Sequence, residues 1–184
     1  VESGELLFLS GESGSGKSTL LSILSTLLTP SSGELFVDGK NIATVADMDS
    51  FRQREIGFIF QFHYLISYLS IYENIALGAL KEHKNEIMPL LEKLGIANLS
   101  HRYPNELSGG QRQRAAVARA LINQPKVIFA DEPTGSLDSK NSTIIYELLA
   151  TAAKNGTTVI VASHDMSICD YATKTIRMLD GKIL

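Results

Sequence analysis

The chain has 184 residues, of which 44% are hydrophobic and 20% are charged, and its formal net charge is −3. This size and composition indicate a globular domain with a substantial core and exclude a disordered or fibrous chain. The acidic balance argues against a broad basic surface, so no nucleic-acid partner is expected. No apolar run is long enough to cross a bilayer. The single cysteine, Cys169, excludes an internal disulfide, and we expect it to be buried.

The first predicted elements are a strand, a glycine-rich turn and a helix. An apolar run at 6–9 precedes the turn, and apolar residues recur at helical spacing from Leu20 to Leu27. The turn reads Gly11-Glu12-Ser13-Gly14-Ser15-Gly16-Lys17-Ser18-Thr19. In this context the pattern predicts a phosphate-binding loop, because glycines let successive N–H groups point at one anion and the helix adds its positive end. Lys17 is expected to reach the terminal phosphates, and Ser18 to offer a hydroxyl to Mg²⁺.

Two strands and one short helix are predicted between residues 34 and 61. Residues 34–37 predict a strand that closes on the hairpin dipeptide Asp38-Gly39, and residues near 47–54 predict a short helix. The apolar run 56–60 predicts a buried strand that ends in Gln61. Gln61 either caps this strand or, since strand ends line the crevice of a nucleotide-binding sheet, reaches Mg²⁺ or water.

Residues 65 to about 105 carry helical patterns without strand signals. One helix is predicted around 71–77 and another around 87–94, so this stretch is expected to form a helical lobe inserted into an α/β core. The motif that follows reads Leu107-Ser108-Gly109-Gly110-Gln111, and it opens a helix with three arginines. Ser108 is either a simple helix cap or, with the glycine N–H groups and the helix dipole, part of a second anion site.

Two later strands end in polar residues at the same predicted edge of the sheet. The strand at 127–130 is followed by Asp131 and Glu132, and the strand at 157–162 leads to His164. Adjacent carboxylates after a buried strand are costly unless they hold a cation or poise a water, although a solvated turn is the alternative. We therefore expect Asp131 to bind Mg²⁺, Glu132 to orient or deprotonate a water, and His164 to lie near the terminal phosphate. A helix after Asp138 and strands near 174–179 and 182–184 complete the sheet.

Five motifs now occur in order: the loop at 11–19, Gln61, the segment 107–111, Asp131-Glu132 and His164. Together they resemble the nucleotide-binding domain of an ATP-binding cassette (ABC) transporter, and the resemblance covers essentially the whole chain. The resemblance implies an α/β fold, a P-loop NTPase of the ABC type, whose mostly parallel sheet carries an inserted helical subdomain. It implies one domain, 1–184, with an ATPase core at 1–61 and 115–184 and a helical subdomain at about 62–114. An adenine-stacking aromatic residue is expected upstream of Val1, so the first strands of the fold are expected to be missing.

The resemblance also assigns roles to the residues of the motifs. ATP and Mg²⁺ are the implied cofactors, with Ser18, Gln61 and Asp131 serving the metal. Glu132 is implied as the general base, with His164 and Gln61 as further catalytic residues. ATP is implied to bind residues 11–19 of one chain and the motif of a second chain, which comprises Ser108, Gly109, Gly110 and Gln111.

The implied assembly is a head-to-tail homodimer that closes on ATP and drives integral membrane subunits from the cytoplasmic face of the inner (plasma) membrane. Ser136-Leu137-Asp138 matches the segment at the dimer seam known as the D-loop. The motifs at 60–65, 73–77 and 131–138 are most similar to the LolD group of lipoprotein-releasing ATPases, and they are nearly shared with the MacB exporters and the FtsE cell-division ATPases. A DNA-repair ATPase or a translation factor of the ABC kind is the more distant alternative.

Overall fold

Two β-sheets organise the computed structural model, which describes residues 1–135 and 137–184. Its strands are β1 (Leu6–Ser10), β2 (Phe36–Val37), β3 (Lys40–Asn41), β4 (Ile56–Ile59), β5 (Val127–Asp131), β6 (Thr158–Ala162), β7 (Lys174–Leu179) and β8 (Lys182–Ile183). The larger sheet has the order β4-β5-β6-β1-β7-β8, and β2 pairs with β3 in a separate hairpin. Pairing is parallel from β4 through β7, and only the β7–β8 pair of this sheet is antiparallel among the described residues. The predicted α/β fold with a mostly parallel sheet is confirmed.

Six α-helices accompany these strands in the described part of the chain. They are α1 (Lys17–Leu24), α2 (Met48–Glu55), α3 (Ile71–Gly78), α4 (Ile87–Lys93), α5 (Gly109–Leu121) and α6 (Ser139–Lys154). Short 3₁₀ turns occur at Ile42–Thr44, Lys81–Glu86, Ala97–Leu99, Pro104–Glu106 and Met166–Asp170. The described helices are each too short or too polar to span a membrane.

The core lies on both faces of the larger sheet, because the side chains of a strand alternate between faces. Along β1, Leu6 and Phe8 join a cluster that continues into α3, α4, α5 and α6. Leu7 and Leu9 join a second cluster with Leu21 of α1. Helices α3 and α4 pack against α5, which itself packs against β4. The predicted boundary of the helical subdomain at residue 114 falls inside the continuous helix α5.

Two local predictions are corrected by the structure. The apolar pattern predicted a helix as far as Leu27, but α1 ends at Leu24, and Leu27 is exposed. Thr26 takes a positive φ of 65° there, which turns the chain away from the helix axis. Cys169 was expected to be buried, yet it is exposed, because the 3₁₀ turn at Met166–Asp170 directs Ile168 into the core instead. Ser136, which is predicted to belong to the D-loop, lies outside the described residues.

Candidate active site

The predicted site residues follow the carboxyl ends of neighbouring parallel strands. β1 aligns with β6 so that Leu9 pairs with Ala162, and β5 aligns with β6 so that Asp131 pairs with the same residue. β4 is aligned with β5 and ends one residue before Phe60. The segments that leave these strands therefore emerge at one edge of the sheet, as expected for a ligand crevice in an open α/β fold.

A cavity of about 510 Å³ opens at this edge. Its lining combines the phosphate-binding loop with the residues that follow β4, β5 and β6, and it comprises Gly11, Ser13, Gly14, Gly16, Lys17, Ser18, Thr19, Gln61, Asp131, Glu132 and His164. Glu12 is exposed and Ser15 is buried, and neither lines this cavity in the described part of the chain. Motifs separated by more than a hundred residues in the sequence thus meet around one space.

The conformation of the loop at 11–19 depends on its glycines. Gly16 adopts a left-handed conformation with φ 98° as the N-cap of α1, so the first N–H groups of the helix face the loop. A Cβ atom on Gly11 would lie 2.5 Å from the carbonyl oxygen of Met178, so no side chain fits there. Lys17 Nζ donates to the carbonyl oxygens of Gly11 and Glu12 at 2.8 and 2.9 Å. The lysine therefore closes the loop on itself and keeps its charge beside the cavity.

Glu132 is held by two side chains that differ in exposure. Its Oε2 accepts a hydrogen bond from the Ser163 hydroxyl at 2.9 Å, and its Oε1 lies 3.0 Å from His164 Nδ1. The Glu132 side chain is 15% exposed, whereas the His164 side chain is 79% exposed. The hydrogen bond to Glu132 and the negative charge of that carboxylate raise the pKa of His164. The backbone also fixes Glu132, since its N–H donates to the carbonyl oxygen of Ala162 at 2.8 Å.

Asp131 lines the same crevice and is partly buried. Burial raises the pKa of Asp131, the negative charge of Glu132 acts in the same direction, and Ser18 and Lys17 oppose them. The Asp131 carboxylate, the Ser18 hydroxyl and the Gln61 amide line one cavity and offer hard oxygen donors, which suit Mg²⁺. Among the described residues, no group of three or more His, Cys, Asp or Glu side chains could hold a metal. A single carboxylate with a hydroxyl and an amide still fits magnesium, which uses one or two carboxylates together with waters and substrate phosphates.

The motif at residues 107–111 lies apart from this cavity in the same chain. Ser108 is exposed and caps α5 reciprocally: its hydroxyl accepts from Gln111 N–H at 3.3 Å, and its own N–H donates to Gln111 Oε1 at 2.9 Å. A Cβ atom on Gly110 would lie 2.9 Å from the Leu137 side chain. In the described residues, none of positions 108–111 lines the cavity, so the structure does not bring the two predicted anion sites together within one chain.

Two residues that support the site, Ser163 and Arg119, were not predicted from the sequence. Ser163 is 1% exposed and contacts Glu132, and its position between an apolar strand and His164 was the available signal. Arg119 lies on α5, and its guanidinium donates to the carbonyl oxygens of His63 and Tyr64, both at 2.6 Å. Those two residues have positive φ values, so the arginine stabilises an unfavourable backbone just after Gln61. No local pattern links residue 119 to residues 63 and 64.

Comparison with known proteins gives consistent matches along the chain. The sequence model of the family described as ABC transporter matches residues 1–135. The lipoprotein-releasing system ATP-binding protein LolD 2 of Chlorobaculum tepidum is 44% identical, and the match covers 100% of this chain and 80% of that protein. The putative hemin import ATP-binding protein HrtA of Staphylococcus haemolyticus is 41% identical, and the match covers 100% of this chain and 86% of that protein. The ATP-binding cassette MJ0796, in a dimeric post-hydrolysis state bound to ADP and Pi, superposes with a TM-score of 0.90 at 36% identity, covering 98% of this chain and 83% of that one.

Proposed function

The chain belongs to the ABC transporter family, and from that premise we propose that it is the ATP-hydrolysing subunit of a complex that releases lipoproteins from a membrane. It binds ATP as a cassette of that family. The observation that carries the proposal is the convergence of the phosphate-binding loop, Asp131, Glu132 and His164 on one cavity. The substrate class rests on the relative of highest identity described above, which is a LolD protein.

The nucleotide phosphates are proposed to lie against residues 11–19. The left-handed glycines and the start of α1 present backbone N–H groups to the cavity, and Lys17 adds a positive charge. Lys17 Nζ has three donors, of which two are used within the loop. Its place beside the cavity lets it exchange these carbonyl contacts for phosphate oxygens, which are stronger acceptors because they are charged.

Magnesium is proposed to bind Ser18, Gln61 and Asp131. All three line the cavity, and each offers the oxygen ligand that Mg²⁺ prefers. When bound, the ion would neutralise phosphate charge. It would also offset the cost of the charged form of Asp131, whose pKa is raised by burial.

Glu132 is proposed to be the general base. It projects into the cavity one residue beyond Asp131, and it is oriented by hydrogen bonds rather than free in solvent. His164 Nδ1 lies against Glu132 Oε1, and the histidine is exposed enough to rotate towards a terminal phosphate. That movement would free Oε1 to accept a proton from the attacking water.

The second nucleotide contact is proposed to come from another copy of the chain. Because residues 108–111 lie apart from the cavity, the exposed Ser108, the glycine N–H groups and the start of α5 can complete the site of a partner. MJ0796, which this chain resembles along nearly its full length, forms a dimer. We therefore propose a homodimer arranged head-to-tail, which closes on ATP and opens after hydrolysis.

The membrane subunits are proposed to dock on the helical subdomain, residues 62–114, from the cytoplasmic face of the inner membrane. Exposed aromatic side chains cluster where this segment begins: Phe62 is 71% exposed, Tyr64 61% and Tyr68 78%. The rings of Phe62 and Tyr64 lie 6.5 Å apart, and contiguous exposed apolar groups are typical of contact surfaces. They follow Gln61 directly, so a partner bound there would sit beside the active site.

Replacement of Lys17 tests the nucleotide assignment. Lys17→Ala is expected to weaken ATP binding by ~10–100-fold, because hydrogen bonds to charged groups are worth roughly 1.5–3 kcal/mol. Isothermal titration calorimetry on the full-length subunit measures the change in Kd. Lys40→Ala, at an exposed lysine of the β2–β3 hairpin, is the matched control and should retain the parent affinity. An unchanged Kd for Lys17→Ala would contradict the assignment.

Lipoprotein release is tested by reconstitution with the membrane subunits that copurify with the full-length chain. In proteoliposomes loaded with a fluorescent lipoprotein, we expect ATP-dependent transfer to a soluble acceptor, and no transfer when Lys17→Ala replaces the parent. The same vesicles loaded with hemin provide the competing substrate, since HrtA is a comparable match. Movement of hemin without lipoprotein transfer would overturn the substrate assignment while leaving the ATPase assignment intact.

A further inference from the structure

Ser163 follows β6 and is among the most buried polar residues beside the active site. It is 1% exposed, and its hydroxyl oxygen lies 2.9 Å from Glu132 Oε2. The same oxygen lies 3.1 Å from the backbone nitrogen of Asp165. Each of these contacts is within normal hydrogen-bond range, so the serine hydroxyl takes part in two hydrogen bonds.

The direction of both hydrogen bonds follows from the chemistry of the partners. A backbone N–H can only donate, so the Asp165 N–H occupies a lone pair of the Ser163 hydroxyl. The hydroxyl hydrogen is then committed to Glu132 Oε2, since an ionised carboxylate can only accept. The serine therefore acts as a fixed donor to one oxygen of Glu132.

The two oxygens of Glu132 have different neighbours. Oε2 faces the buried Ser163, whereas Oε1 faces His164, whose side chain is 79% exposed. The hydrogen bond to a buried side chain is protected from water, whereas the hydrogen bond to an exposed side chain can be replaced by one to solvent or ligand. Holding Oε2 in place consequently leaves Oε1 directed towards the cavity when the histidine moves.

The segment that carries Ser163 is itself anchored to α6. Asp165 Oδ2 accepts a hydrogen bond from the Tyr146 hydroxyl at 3.0 Å, and Asp165 Oδ1 accepts one from Ser167 N–H at 3.0 Å. The Tyr146 oxygen also lies 2.7 Å from Thr134 Oγ1. Tyr146 is 1% exposed, and burial raises the pKa of its hydroxyl to about 12, so it stays protonated and able to donate. Through Tyr146, this network joins the segment that follows Glu132, at Thr134, to the segment that follows Ser163, at Asp165.

We propose that Ser163 is a positioning residue for ATP hydrolysis, which holds Glu132 Oε2 so that Oε1 is presented to the attacking water. The inference rests on the proposed role of Glu132 as the general base. Ser163 does not line the nucleotide cavity in the described residues. Its replacement should therefore change turnover rather than nucleotide affinity, as expected for a positioning residue.

The test compares three substitutions in the full-length subunit. Ser163→Ala is expected to lower kcat by ~10–100-fold with an unchanged KM for ATP, the range expected for one hydrogen bond to a charged group. Ser163→Thr keeps the hydroxyl and should restore most of the parent kcat. Ser163→Cys keeps a side chain of similar shape but offers only a weak donor, so its kcat should fall even though the fold is retained. Ser100→Ala, which removes a serine hydroxyl of similar burial from the helical lobe, is the matched control.

A double-variant cycle separates positioning from a general structural effect. If Ser163 acts through Glu132, then adding Ser163→Ala to Glu132→Gln should cause little further loss of turnover. Additive losses, a parent-like kcat for Ser163→Ala, or an equal loss in Ser163→Thr would each overturn the proposal. Failure of Glu132→Gln itself to lower turnover would instead count against the general base, so the two results are distinguishable.

Discussion

Glu132→Gln is expected to lower kcat for ATP hydrolysis by ~10²–10⁴-fold, the usual contribution of a general base, while ATP affinity stays near the parent value. Glutamine keeps the size of the side chain and can still engage Ser163, but a neutral amide cannot accept the proton of the attacking water. The phosphate-binding loop is untouched, so binding is preserved. Single-turnover kinetics with the full-length subunit measures the chemical step, and calorimetry measures the affinity.

The control for this substitution is Glu147→Gln, which neutralises an exposed carboxylate on α6. It should leave kcat unchanged, because Glu147 is not among the described residues that line the cavity. Hydrolysis by Glu132→Gln at nearly the parent rate would mean that another group takes the proton. His164 would then be the next candidate, as the titratable side chain that contacts Glu132 directly.

The residues around the cavity were largely predictable, because each one follows a strand whose apolar pattern is unambiguous. Gln61, Asp131 and His164 end or follow runs of buried residues, and parallel strands must bring such ends to one edge of the sheet. The glycines of the loop similarly predict its curled backbone, since positive φ at Gly14 and Gly16 is required there. The strand pattern and the glycines therefore predict which groups meet around the cavity.

What could not be predicted depends on contacts between segments far apart in the chain. Arg119 donates hydrogen bonds to the backbone carbonyls of residues 63 and 64. Every residue has a backbone carbonyl, so no sequence pattern identifies these two as its partners. Cys169 was misjudged because a short 3₁₀ turn has no periodicity that distinguishes it from its neighbour Ile168. Ser163 looked like an ordinary residue at a strand end, and only its distance to Glu132 gives it significance.

Ser108→Arg is expected to abolish ATP-dependent dimerisation of the Glu132→Gln variant, which is used because we expect it to bind ATP without turning it over. Ser108 is exposed at the start of α5, where the proposed partner's terminal phosphate would contact it. An arginine side chain would occupy that space and prevent the close approach of the two chains. ATP binding by the monomer should remain nearly intact, since residues 108–111 do not line its own cavity in the described part of the chain.

Ser108→Ala separates steric blocking from the loss of the helix cap. Removing the cap costs about 1 kcal/mol of helix stability, but it leaves the space open and the glycine N–H groups available. The alanine variant should therefore still dimerise with Mg-ATP, at reduced affinity, while the arginine variant stays monomeric in sedimentation or light scattering. Thr151→Arg, at an exposed position on α6, controls for the added charge. Dimers that persist in the Ser108→Arg, Glu132→Gln double variant would show that this end of α5 is only a capped helix and that each chain completes its site alone.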